Sequence, residues 1–220
     1  MRAWKFLDRT GCAVFSGHRW AISGTAAPGP WLEAGAPALC GRGIHACRAV
    51  DLAWWIHDEL WEVELSGEVI EGDRKVAAAR GRLVGRVAGW AGGAARALAE
   101  SSAWRARDLA IGVLAGHDLE REAGQLSGVT TLEDLQRTGL EVAAALGELS
   151  DGGLAAALAG DAAYFAQHGA PLQAPYVAAC AAGHATRSGS VDRPFREGFV
   201  AERAAQSAWI VGRLALADPA

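Results

Sequence analysis

Lysine, methionine and cysteine are all scarce in this sequence. Lys5 and Lys75 are its two lysines against 19 arginines, and it has one Met. With abundant Ala and Gly, that usage resembles the output of a high-GC bacterial genome. Cys12, Cys40, Cys47 and Cys180 form no CxxC pair, and a chain of 220 residues has no need of a disulfide framework. Positive charge is not in excess either. A net charge of −4 and an isoelectric point near 5.9 supply no basic field for a phosphate backbone, which disfavours general nucleic-acid binding. No apolar run nears the roughly 20 residues that cross a bilayer, because Arg, Asp, Glu or Gly interrupts each one. The opening residues carry Asp8 with no apolar run behind it, unlike a secretory signal, so the cytoplasm is the expected location and no membrane partner is expected.

What is present is core material, with 51% hydrophobic against 21% charged residues. Seven of the nine tryptophans lie in the first 90 residues, whereas Ala, Leu, Arg and Glu dominate the rest. That shift places a boundary near Trp90-Ala91-Gly92-Gly93 and divides the chain into 1–90 and 91–220. The expected fold class is α+β: an N-terminal antiparallel sheet with a short helix, followed by an all-α, Ala-rich helical bundle.

Residues 60–65 alternate strictly, with Trp61, Val63 and Leu65 on one face and Glu62 and Glu64 on the other, the period of a half-buried strand. Residues 67–73 read as a short strand and turn, and 75–79 and 82–87 as further extended segments, assembled as a hairpin or meander. Residues 51–58 fit a short helix capped near Asp51 that buries Leu52, Trp55 and Ile56. Residues 4–6 and 13–15 fit strands, and 24–37 a loop rich in Gly, Pro and Ala. Beyond residue 94 the spacing predicts five helices: 94–115, one opened by Thr131 with first-turn acids, 154–167, 175–186 and 194–216. The last is expected to bury Phe199, Ala205, Trp209 and the apolar run 211–214.

The densest chemistry lies in Leu39-Cys40-Gly41-Arg42-Gly43-Ile44-His45-Ala46-Cys47. If residues 44–47 form a strand, His45 and Cys47 share a face, and Gly41 and Gly43 permit the turn that returns Cys40 to them. Completed by Cys12 or His18, the set Cys40, His45 and Cys47 would suit tetrahedral zinc. Alternatively His45 activates Cys47 as a nucleophile, with Arg42 and Arg48 assisting. The plain account is a buried structural role, since free cysteines are commonly core residues. Glu62 and Glu64 offer a carboxylate pair, with Glu64 the candidate acid, although alternation with apolar neighbours equally makes them a solvent face meeting Arg80, Arg82 and Arg86. Cys180 and His184, i and i+4 on one helix face after His168, would make a two-ligand metal site or else a small residue beside a partly buried imidazole.

The order Trp4-Lys5-Phe6, Cys12, Leu39-Cys40-x-x-Gly43-Ile44-His45-Ala46-Cys47, Leu60-Trp61-Glu62-Val63-Glu64-Leu65-x-Gly67-Glu68, Lys75-Val76-Ala77 is similar to a family of small uncharacterised bacterial and phage proteins. Ile44 stands where that family usually carries an aromatic residue. The resemblance covers about the first 85 residues and implies no activity. Gly43-Ile44, the 52–56 segment and the 61–65 strand also resemble, more weakly, the element order of mono-ADP-ribosyltransferase folds. That likeness implies a split sheet around an NAD cleft, with Glu62 or Glu64 as the acid. Residues 178–186 are faintly similar to the Ala-rich helices of bacterial toxin-immunity proteins.

Two classes of function follow. One is a small enzyme or ligand-binding domain, with a small molecule held between the Cys/His segment and the Trp54-Trp55 segment. The other is a non-enzymatic zinc-binding or immunity-type module with a protein partner. A concave pocket lined by His45, Trp and Arg points to the first, and burial of the whole cluster to the second.

Overall fold

A computed structural model describes residues 1–22, 28–147, 150–189 and 194–216. The fold is α+β, with an N-terminal antiparallel sheet and a C-terminal helical part. Its longest strands, β4 (Glu59–Glu71) and β5 (Val76–Arg86), form one hairpin. The sequence breaks this hairpin into four shorter pieces because the ladder shifts register between Glu62 and Val63 and again between Ser66 and Val69. Each bulge interrupts the two-residue period. The alternation expected over 60–65 is present: Trp61, Val63 and Leu65 are buried, while Glu62 pairs with Arg2, and Glu64 lies 2.6 Å from Arg82.

β1 (Arg2–Leu7) pairs with β4, opposing Lys5 to Trp61. β2 (Leu32–Glu33) and β3 (Ile44–Ala46) share the other edge of β5, opposing Leu32 to Gly81 and His45 to Ala77. Just beyond β3, Cys47 pairs with Trp4 through two backbone hydrogen bonds of 2.8 and 2.7 Å. The strand path therefore returns to β1, and the sheet closes on itself around Leu7, Ile44, Val63, Leu65 and Val76. Gly81 is required for this packing, since a Cβ there would stand 2.6 Å from Ile44 Cγ2.

Two local expectations are corrected. Over 51–58 there is a single 3-10 segment, Ala49–Trp54, preceded by Arg48 in extended conformation. Asp51 turns inward to Arg48 at 2.7 Å rather than capping a helix, and Trp55 lies beyond the last turn. Residues 13–15 form no strand. Gly17, at φ 65°, donates to the Ala13 carbonyl, folding the segment into a turn that leaves Val14 and Phe15 exposed. Of the loop expected over 24–37, residues 24–27 lie outside the described residues.

After a π-helical turn, Trp90–Ala94, come α1 (Ala95–Gly116), α2 (Glu120–Ser127), α3 (Leu132–Leu146), α4 (Asp151–Gln167), α5 (Gln173–Gly189) and α6 (Phe195–Leu214). Thr131 caps α3 by accepting from the Asp134 amide at 3.1 Å, as its sequence implies. α2 escapes the sequence reading because it is short and carries few apolar residues. α6 buries a face other than the expected one: Glu202, Arg203, Gln206, Ser207 and Ile210 are buried, Ala205 is exposed, and none of 211–214 is buried. Hydrogen bonding explains the choice. Glu202 pairs with Arg105 at 2.6 Å, and Gln206 Nε2 donates to the Pro175 carbonyl at 2.8 Å, so these polar groups are not left unsatisfied.

The chain groups into two compact units, Met1–Ala95 with the stretch from Ser207 onward, and Arg96–Gln206. The end of α6 thus belongs with the sheet, where Ser207 Oγ accepts from the Ala53 amide at 3.0 Å. Among the described residues no helix is long and apolar enough to cross a membrane.

In the helical unit the Ala-rich faces allow helix backbones to touch. A Cβ at Gly139 of α3 would sit 2.7 Å from the Ala156 carbonyl oxygen and 2.9 Å from the Gly160 nitrogen of α4. Gly139→Ala should therefore destabilise the protein by about 1–3 kcal/mol through overpacking. Gly112→Ala, in open space near the C-terminal end of α1, should stabilise it by about 0.5–1 kcal/mol. Chemical unfolding followed by circular dichroism checks both, and equal effects at the two sites would contradict the close approach.

Candidate functional site

Closure of the sheet gathers distant parts of the chain around one cavity of about 550 Å³ in the N-terminal unit. β1 supplies Trp4, Lys5 and Phe6, the turn after it Ala13 to Ser16, His18 and Trp20, and the Cys/His segment Cys40, Gly41 and Gly43 to Cys47. Trp55 and Lys75 complete the wall. The aromatic lining is backed by ring contacts, with Phe15 edge-on to Trp55 at 5.6 Å and His18 edge-on to Trp20 at 6.1 Å. Phe15 is 83% exposed, which is unusual for a side chain of its size and places an apolar edge at the rim.

Lys5 and Lys75, the chain's two lysines, both line this cavity. Lys5 Nζ donates to the His45 carbonyl at 2.6 Å and stands 5.4 Å from the centre of the Trp20 ring. Burial pushes its pKa down to about 8, against a smaller pull upward from Cys47. Lys75 Nζ donates to Cys40 Sγ at 2.9 Å. Among the described residues neither amine forms an ion pair, and no Asp, Glu or Arg lines the cavity. Two further polar atoms, Trp4 Nε1 and His45 Nε2, are buried in lining residues without a hydrogen-bond partner among the described residues. Buried polar atoms without partners are rare enough to require an explanation.

The candidate residues separate under this geometry. His45 is half-buried in β3 between the buried Ile44 and Ala46, and Cys47, one residue beyond the strand, is buried at the bridge to Trp4. Burial lowers the His45 pKa, helped by Lys75 and Lys5 and opposed by the Ala38 and Gly43 carbonyls, so the imidazole is neutral. Cys47 is buried, and desolvation drives its thiol pKa upward, with Asp51 adding to the shift; both oppose the thiolate that a nucleophile needs. Cys40 is exposed at a backbone φ of 60°, on the rim. Cys12 accepts from Thr10 Oγ at 3.3 Å. Among the described residues no group of three or more His, Cys, Asp or Glu side chains is placed to hold a metal ion, so Cys12, Cys40, His45 and Cys47 do not assemble into a tetrahedral set. Glu64 is paired with Arg82 outside the cavity lining. In the helical unit, His184 is buried with Nε2 at 2.9 Å from the Asp151 carbonyl, while Cys180 is half-buried.

Sequence reasoning singled out His45 and the tryptophans but missed both lysines as site residues. The signal was their rarity. In a chain that uses Arg for nearly every cation, the retained lysines mark places where a compact ammonium differs in kind from a guanidinium.

The lowered Lys5 pKa has a definite consequence for stability. Below about pH 8 the folded protein carries a buried charge that costs stability. Between about 8 and the unfolded value of about 10.4, folding releases a proton, so stability rises with pH; above that range both states are neutral. Lys5→Met should be more stable than wild type at neutral pH by on the order of 2 kcal/mol, with the gap closing by about pH 10.5. Urea unfolding of both proteins across this range measures the gap, and one independent of pH would refute the assignment. Thiol labelling gives a second check. A maleimide near neutral pH should modify Cys40 readily and Cys47 only after denaturation, and prompt labelling of Cys47 would restore it as a candidate nucleophile.

No protein-family model, no curated protein sequence and no solved structure matches this chain, so the cavity is read from its own chemistry.

Proposed function

We propose that the N-terminal unit is a small-molecule-binding domain, with the cavity between β1, the Cys/His segment and Trp55 as its site. The observation that carries this reading is the cavity itself. Its volume of about 550 Å³ lies within the range of natural ligand pockets, and its walls combine aromatic surface with a few polar groups that lack partners. A structural role for the whole segment would bury it, yet Leu39, Cys40, Gly41 and Arg42 are exposed, and burial is confined to Ile44, Ala46 and Cys47. In this reading the Leu39-Cys40 turn and β3 shape a binding wall, and His45 and Lys5 orient the ligand. The resemblance of the first 85 residues to small bacterial and phage proteins, and the weaker one to ADP-ribosyltransferase folds, are compatible with such a pocket, and NAD belongs among the compounds to be tried.

Because Cys40 lines the cavity, a ligand bound there should shield it from a thiol reagent. A thermal-shift screen of nucleotides, NAD, aromatic acids and neutral aromatics should find compounds that raise the melting temperature, by about 2.7 kcal/mol of added stability at a hundred times Kd. The same compounds should slow Cys40 modification. Compounds that stabilise without protecting Cys40 would place binding elsewhere, and a screen without any shift would end the reading.

A further inference from the structure

Building on that ligand-binding reading, we propose that the cavity recognises a planar, largely apolar organic carboxylate, its oxygens received by Lys5, Lys75 and the Trp4 indole N–H and its body held against Trp20, Trp55 and Phe15. The unpaired polar groups are predominantly donors. Among the described residues each ammonium, with three N–H groups, makes one hydrogen bond, and Trp4 Nε1, which can only donate, makes none. Acceptors are fewer: among the described residues no Asp or Glu lines the cavity, the His45 carbonyl is already taken by Lys5, and His45 Nε2 accepts or donates according to its tautomer. A ligand that completes these groups must bring acceptors and negative charge.

Charge distribution supports the same ligand. The protein has a net charge of −4, yet among the described residues the charged side chains that line this cavity are Lys5 and Lys75. Both lysines sit here while the chain's arginines serve elsewhere. Compact ammonium donors suit a carboxylate that must also fit beneath an aromatic wall, where a planar guanidinium would compete for the stacking surface. The aromatic faces favour a flat body, and exposed Phe15, edge-on to Trp55, offers the outer side of that slot.

The titratable groups that share the cavity wall with Lys5 are His45 in β3, Cys47 just beyond it, His18, Cys40, and Lys75 immediately before β5. Burial keeps the Cys47 thiol protonated and the His45 imidazole neutral above neutral pH, so of these three groups Lys5, with its pKa near 8, is the one that loses charge as the medium turns basic.

Calorimetric titration of the full chain with 2-naphthoate and indole-3-acetate, each beside its neutral carboxamide, tests the proposal. Near neutral pH the acids should bind at least about tenfold tighter than the amides. That advantage should shrink as pH rises through about 8, while amide binding stays level. Lys5→Met and Lys75→Met should each remove most of it, and circular dichroism establishes that each variant is folded; because the pH series uses wild type, the test survives a variant that fails to fold. Equal affinity for acid and amide overturns the carboxylate assignment and leaves the ligand-binding reading standing. Acid binding that ignores both pH and the lysine substitutions also overturns it. If neither acid binds, the assignment falls, and the Cys40-protection screen decides whether the pocket reading falls with it.

Discussion

Two backbone hydrogen bonds between Trp4 and Cys47 hold the N-terminal unit in the form on which its cavity depends. Each contributes only about 1 kcal/mol of net stability, but together they join the first strand to the end of the Cys/His segment and close the sheet. Closure brings Lys5 to the His45 carbonyl, and the β3–β5 ladder brings Lys75 to the same wall by pairing Ala46 with Val76. The same closure explains why Cys47 is buried and Cys40 is exposed. Cys47 is locked into the seam, while Cys40 lies on the turn that the seam leaves at the surface.

The two units differ in how their buried polar groups are partnered. In the helical unit, Glu202, Gln206 and His184 are buried, and each has a partner from another helix. These contacts rigidify the packing, and of the three side chains His184 alone keeps a buried atom, Nδ1, without a partner among the described residues. In the cavity of the sheet unit, ammonium and indole donors outnumber the acceptors that reach them. A protein stable by only a small margin retains such an imbalance at a cost, and completion by a ligand is the physical reason we offer for it.

Much of the architecture was legible. Alternation over 60–65 revealed a half-buried strand, Thr131 announced the start of α3, and the change from Trp-rich to Ala-rich composition separated sheet from helices. These features are local: period, capping chemistry and composition act over a few residues. The failures are also instructive. The bulges in the β4–β5 hairpin disguised one ladder as several segments, and Asp51 was drawn away from its capping role by Arg48. The buried face of α6 was hidden because its polar residues are satisfied by Arg105 and Pro175, far away in sequence.

The candidate site divides along the same line. The amino-acid order alone shows that residues 39–47 concentrate reactive side chains and that lysine occurs only twice. Tertiary structure alone decided that both lysines meet His45 at one cavity, that Cys47 is sealed, and that Cys12, Cys40, His45 and Cys47 do not assemble around a metal-sized point. The physical reason is distance along the chain. Residues 5, 45 and 75 are brought together by strand pairing and sheet closure, whose register depends on bulges and on the packing of Ile44 over Gly81, and no local pattern in the sequence encodes that meeting.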